Sequence, residues 1–241
     1  VRLKRYIKEA TYRGDKLFRD IAKKAFGKFQ KVLDKHYKEW ERTGRIGLPE
    51  HKGSGGYIVY GLDFGYPQLI VILADVSIGT AGYSTKAGKD YKGNPLKAIV
   101  LPVLKAPMDF QYANTRVNKA SFEHEFIHFL DDLRGKDYQN TAKLRDTKGD
   151  KAYYNTASEF NAYFQEGAAE VEDLLKHVWK VKPDKVVEIL SSMEVFKNWM
   201  LVKTDFFNKN WHQSLDLKWK RKFLKRLATY YKGLVKKYET K

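Results

Sequence analysis

Between Asp15 and Trp40 apolar residues recur at intervals of three and four: Leu17, Phe18, Ile21, Ala22, Ala25, Phe26, Phe29, Val32 and Leu33. That spacing predicts a long amphipathic helix. It ends at Thr43-Gly44, and a glycine-rich stretch, Gly53-Ser54-Gly55-Gly56, follows. Neither a Gly-Lys-Ser/Thr sequence nor a helix comes after it, so it is not a phosphate cradle. Apolar runs then predict strands over Tyr57–Leu62, Gln68–Ala74 and Ala98–Leu104, with a weaker one near Ala81–Thr85 and a hairpin loop over Gly88–Pro95. Helical spacing returns at about Asn118 and runs to Leu133, with Gly135 as its C-cap. Residues 135–152 are polar and read as a loop. A further helix is predicted from near Thr156 to about Lys180. Beyond Pro183 the pattern is helical throughout, over Pro183–Met200 and Leu215–Tyr238. The chain is therefore expected to be α+β, a long N-terminal helix packed on a small mixed sheet of about three to five strands, with a mostly helical C-terminal part. Residues 1–180 are expected to form the main domain and 181–241 a helical extension packed on it.

Composition narrows the classes. The chain has 241 residues, 43% hydrophobic and 15% aromatic, enough for a sizeable core, which rules out global disorder. No apolar run is long enough to span a bilayer, and the opening Val-Arg-Leu-Lys-Arg does not lead into a signal peptide. The first residue is Val rather than Met, which admits a processed product or a piece of something longer. With no cysteine, a metal site must draw on His, Asp and Glu. The net charge of +17 favours an anionic partner, an envelope polymer or a nucleic acid, over a neutral one. Lysine outnumbers arginine and no basic run matches a nucleic-acid motif, so the same charge also fits a protein whose lysines keep it dispersed.

The helix over residues 118–133 contains His124-Glu125-Phe126-Ile127-His128. Two histidines four apart project from one helix face about a turn apart, so their ring nitrogens can meet at one metal ion. Zinc held this way needs a third protein ligand and keeps a fourth position for water, whose proton Glu125 would take as it attacks a carbonyl. Phe122, Phe126, Ile127, Phe129, Leu130 and Leu133 make the helix apolar around much of its circumference. It is expected to be buried, and His124, Glu125 and His128 inside it to need polar partners.

Position 131 is Asp and position 134 is Arg, so the three-histidine zinc class is excluded. Candidates for the third ligand are Glu159, Glu166 and Glu170 on the next helix, and Asp131 and Asp132 just downstream. Asp131 also reads as an acceptor orienting an imidazole, or as a surface acid. Thr156-Ala157-Ser158-Glu159 is in addition a capping box, in which Glu159 would bond a backbone N–H.

The segment Tyr153-Tyr154-Asn155-Thr156-Ala157-Ser158-Glu159-Phe160-Asn161-Ala162-Tyr163-Phe164 resembles the second motif of gluzincin metallopeptidases, in which a ligand Glu is followed three residues on by a small Ala. Together with His124–His128 and the acidic pair after it, the segment is most similar to the peptidases like anthrax lethal factor and the proline-proline endopeptidases. The resemblance covers roughly residues 98–170 and rests on about a dozen positions. It implies a zincin-like fold and a Zn2+ cofactor held by His124, His128 and Glu159. It also implies Glu125 as general base, and a tyrosine, Tyr154 or Tyr153, donating to the oxyanion. Both tyrosines sit slightly closer to Glu159 than the group's pattern leads one to expect.

His177 lies eighteen residues after Glu159, roughly 27 Å along a helix, and is expected at the surface. His212, in Asn210-Trp211-His212, belongs to no motif, and His36 and His51 have no chemical context. The strand 98–104 and the segment Gly79–Thr85 are the two candidates for an edge that binds an extended peptide, and Pro102 argues that part of the former lies at an edge or bulge. The C-terminal helix is basic and amphipathic, and its apolar side is expected to pack on the domain. These features lead first to a zinc endopeptidase acting on a polypeptide substrate, secreted or virion-associated rather than cytoplasmic. The rivals are a catalytically silent zincin-fold component of a virion or secreted assembly that uses its basic surface, and a nucleic-acid-binding domain.

Overall fold

The computed structural model describes residues 12–43, 50–52, 58–66, 68–75, 81–90, 92–103, 116–133, 139–204 and 210–239. The fold is α+β, mostly helical, with one mixed sheet. Its contacts group into two compact units, Asp20–Leu133 and Arg134–Lys241 with the residues up to Arg19.

In the first of these, the part of helix α1 (Tyr12–Thr43) from Asp20 onward precedes strands β1 (Glu50–Lys52), β2 (Ile58–Tyr66), β3 (Leu69–Asp75), β4 (Gly82–Lys89) and β5 (Pro95–Val103), in sheet order β1-β2-β3-β5-β4. β3 and β5 run parallel, and the other pairs are antiparallel. β2 and β3 join through a tight turn that needs the left-handed region at Gly65 (φ 81°) and Gln68 (φ 62°). The β4–β5 turn is closed by Asp90, whose carboxylate accepts from the N–H groups of Lys92 and Asn94 (2.8 Å each) and from Asn94 Nδ2 (2.9 Å). These bonds, that from the Asn94 side chain first, hold the Asp90 carboxyl below its usual range. Leu69, Val71 and Leu73 are buried and alternate with half-buried isoleucines, as a strand covered on one face requires.

Helix α2 (Arg116–Asp132) packs on β4 and β5. Its Phe122 lies among Phe26 and Phe29 of α1 and Phe64 of β2, stacked on Phe29 with ring centres 5.1 Å apart. Tyr83 donates to Asp132 (2.8 Å), and Lys97 pairs with the same carboxylate, so the end of α2 is tied to both strands.

The second unit contains α3 (Gln139–Tyr154), α4 (Ala157–Val181), α5 (Pro183–Ile189), α6 (Met193–Lys203), α7 (Asn210–Ser214) and α8 (Leu217–Glu239). One apolar core, including Phe164, Val171, Leu175, Phe196, Trp211, Phe223, Leu227 and Leu234, joins the helices from α4 to α8. Arg19 is buried, donates to Gln165 (2.7 Å), pairs with Glu172 and lies over the Tyr230 ring. Asn155 donates to the Ser214 carbonyl and accepts from the Asp216 N–H, fastening the α3–α4 corner to the start of α8.

Three expectations change. Residues 139–154 are helical rather than loop: Lys, Arg, Ala and Leu favour a helix by propensity although no apolar period marks it, and Gly149 (φ 75°) kinks it. Pro183–Met200 is two helices, interrupted at Leu190–Ser192, where Ser192 accepts from the Val195 N–H and caps α6. β5 is an interior strand paired on both sides, so of the two candidate segments it is the one in β4 that lies at an edge, the other edge being β1. The Pro102 signal still has content, because among the described residues the pairing with β4 reaches only to Val100. The glycine-rich stretch 53–56, Gly79 and Gly135 lie outside the described residues.

Candidate metal centre

α2 is buried on every side from Phe122 to Asp131, as a helix with phenylalanine at 122, 126 and 129 and with Ile127 and Leu130 between them must be. The polar residues go inside with it. His124 and Glu125 are each 7% exposed, and His128 and Asp131 are fully buried. One helical turn separates His124 from His128, and their ring centres are 5.0 Å apart at 74°.

Glu159 comes from the first turn of α4. Thr156 is the N-cap, its hydroxyl accepting the Glu159 N–H at 3.3 Å, which starts the helix there and fixes where the Glu159 side chain leaves it. The capping-box reading is therefore right about Thr156. The Glu159 carboxylate, itself 0% exposed, is grouped with the histidines: one ligand atom from each of His124, His128 and Glu159 lies within 4.8 Å of the other two. This buried triad can hold a metal ion. Two imidazole nitrogens and a carboxylate oxygen are a coherent donor set, and a carboxylate taken fully out of water calls for a compensating positive charge, which a cation supplies.

The other acids divide. Glu166 and Glu170 are half-buried on α4 and do not join the triad. Asp132 accepts from Tyr83 and pairs with Lys97, so it is a structural clamp. Asp131 is not a surface acid, because its burial is complete. Glu123, 8% exposed, pairs with Lys119 one turn back at 3.3 Å.

Tyr153 and Tyr154 end α3, both half-buried, with ring centres 5.4 Å apart. Tyr154 packs edge-on against Tyr163, with ring centres 5.3 Å apart. Burial first, then the charges near it, Glu159 among them, push the Tyr163 phenol well above its ordinary range. Ala162, three residues after Glu159, is fully buried. His177 is exposed. His212 is half-buried against Phe223, with ring centres 4.8 Å apart.

The Asp132 clamp and the buried Arg19 were not anticipated from sequence. Lys97 was the available signal for the first, a lysine in the middle of an apolar strand that needs an acid to stay there. No protein family, curated protein or solved structure matches this chain.

Proposed function

We propose that the chain is a zinc-dependent endopeptidase of gluzincin type and zincin-like fold. The observation that carries the reading is the buried convergence of His124, His128 and Glu159, with Glu125 next to His124 on the same helix. Two histidines and one glutamate are the ligands of a catalytic zinc that keeps a position open. Tetrahedral zinc at bonds of about 2.0–2.2 Å wants its donors about 3.4 Å apart, within reach of side-chain rotations from the present spacing.

A zinc ion held by these three residues would bring a water's pKa near neutrality and polarise a peptide carbonyl. Glu125, beside His124, would serve as the general base toward the attacking water and then as the acid toward the departing amine nitrogen. Tyr153 or Tyr154 donates a hydrogen bond to the oxygen that gains charge in the transition state. Asp132, Lys97 and Tyr83 hold α2 in register on β4 and β5 and so fix the histidines. The substrate is an extended polypeptide adding to the outer side of β4, which among the described residues has β5 as its only neighbour.

The test combines metal analysis with a peptide-library cleavage assay on the parent and on Glu125→Gln. The expected result is about one zinc per chain in both, with hydrolysis in the parent alone. A Glu125→Gln variant that cleaves as fast as the parent refutes the mechanism. Zinc retained without hydrolysis in either protein leaves the silent, surface-binding reading, which the charge of +17 favours.

A further inference from the structure

Helix α8 buries Trp219, Phe223, Leu227, Tyr230, Leu234 and Tyr238 in the helical core. The opposite side carries Lys218, Arg221, Lys222, Lys225 and Lys232, all exposed. At 100° per residue these five fall within about 100° of arc, and they extend about 21 Å along the axis. The only acid in α8 is Glu239, beyond the end of the row. Among the described residues none of the five cations is in an ion pair. The basic residues with internal roles lie elsewhere on the helix: Arg226 bonds Asn161 and covers Phe164, and Lys237 pairs with Glu172.

We propose that this row is a docking surface for the sugar–phosphate backbone of duplex DNA, read without regard to base sequence. Three observations choose that partner. The apolar face of α8 is already buried and only Leu217 and Leu224 stand exposed beside it, too little apolar surface to seat the helix in a bilayer. No aromatic ring lies in the row, and Lys222 sits 4.0 Å from the Trp219 ring centre, so there is no platform on which unpaired bases would stack. Four of the five cations are lysines, which meet phosphates as point charges rather than as the bidentate readers of guanine that arginines are. A line of charges on one helix suits a line of phosphates, and the duplex offers the dense charge that makes counterion release a strong driving force.

The α1 helix supplies a matched comparison. It also carries exposed lysines in a row, Lys24, Lys31 and Lys35 among them, but Asp20, Asp34 and Glu39 flank them. The experiment measures fluorescence anisotropy of two 24-base-pair duplexes of unrelated sequence with the full chain, from 50 to 200 mM KCl. Five phosphate contacts predict a log–log salt slope near −4.5, about 500-fold weaker binding across that range, and equal affinity for both duplexes. Lys218→Gln with Arg221→Gln and Lys225→Gln should reduce the slope by about 2.7, at about 0.9 per contact. Lys24→Gln with Lys31→Gln and Lys35→Gln should change it by less than about 1. Circular dichroism checks that each variant is folded. The proposal is overturned by equal losses in the two triple variants, by no binding at 50 mM salt, or by tighter binding to the single strand. Tighter binding to vesicles one-third anionic in phospholipid would overturn it too.

Discussion

Phe122 is where the motif helix is held, and truncating it should loosen the site from beneath. The side chain is fully buried, stacked on Phe29 (5.1 Å, 10°) and Phe126 (5.8 Å, 15°) and edge-on to Phe26 (5.5 Å) and Phe64 (5.8 Å). Phe122→Ala removes a whole ring from a filled space, a change that costs about 3–5 kcal/mol. Four aromatic contacts at about 0.5–1.5 kcal/mol each place this site toward the upper end. Total stabilities are about 5–15 kcal/mol, so the loss is a large share. In a chain of this length it lowers Tm by about 8–20 °C. Phe122→Leu, which keeps most of the volume, should cost about 1.5 kcal/mol, and Val187→Ala, at a position 58% exposed, under about 0.5 kcal/mol. The assay is urea unfolding followed by circular dichroism, repeated with zinc. Zinc at a hundred times its Kd should return about 2.7 kcal/mol to the parent and to Phe122→Ala alike, because the ligands themselves are intact. A loss below about 1 kcal/mol, or one matching Val187→Ala, would refute the claim that this ring fills the core beneath α2.

Three further changes separate holding from chemistry. Asp132→Asn should cost about 1.5–3 kcal/mol in urea unfolding by weakening the bonds from Lys97 and Tyr83, while zinc stays at one per chain because Asp132 is not a ligand. Burial, and then the charge of Lys220, hold the His212 imidazole below its usual value of 6.5. The unfolded chain therefore binds the proton more readily, and the contribution to stability is complete above pH 6.5 and lost as pH falls toward the folded-state value. Urea midpoints of the metal-free protein from pH 7.5 to 5 should show this loss, and His212→Gln should flatten it; an unchanged slope would refute it. Whichever of Tyr153→Phe and Tyr154→Phe removes the oxyanion donor should lose about 100- to 1000-fold in kcat with KM nearly constant. If Tyr154 serves only its packing against Tyr163, its variant keeps the ring, keeps its kcat and changes stability by less than about 0.5 kcal/mol.

The elements that sequence reasoning placed well are those whose hydrophobic period is forced by burial. α1, α2, α4 and α8 each bury a continuous side or more, and their apolar spacing is correspondingly regular. Thr156 and Glu159 were legible because a cap and a ligand are both local chemistry. α3 was not, since residues 147–151 are exposed and no apolar period marks the helix. The interior place of β5 was hidden because an apolar strand reads the same at an edge or within a sheet until its neighbours are known. The roles of Asp132 and Arg19 were not legible, because each is kept inside by a partner 35 or 153 residues distant in sequence. The convergence of Glu159 with the two histidines is likewise a tertiary fact, which spacing on one helix cannot express.

The sheet order β3-β5-β4 carries a consequence for how the chain folds. β4 and β5 are joined by the short Asp90–Asn94 turn and can zip together locally. β3, the apolar run Leu69-Ile70-Val71-Ile72-Leu73, must wait for β5 to arrive in parallel across the intervening hairpin. Parallel pairing over a long loop is slow, and until it forms one side of β3 is open to the wrong partner. The carboxylate of Asp90, by closing the turn that sets β5 against β4, thus bears on when β3 gains its parallel neighbour.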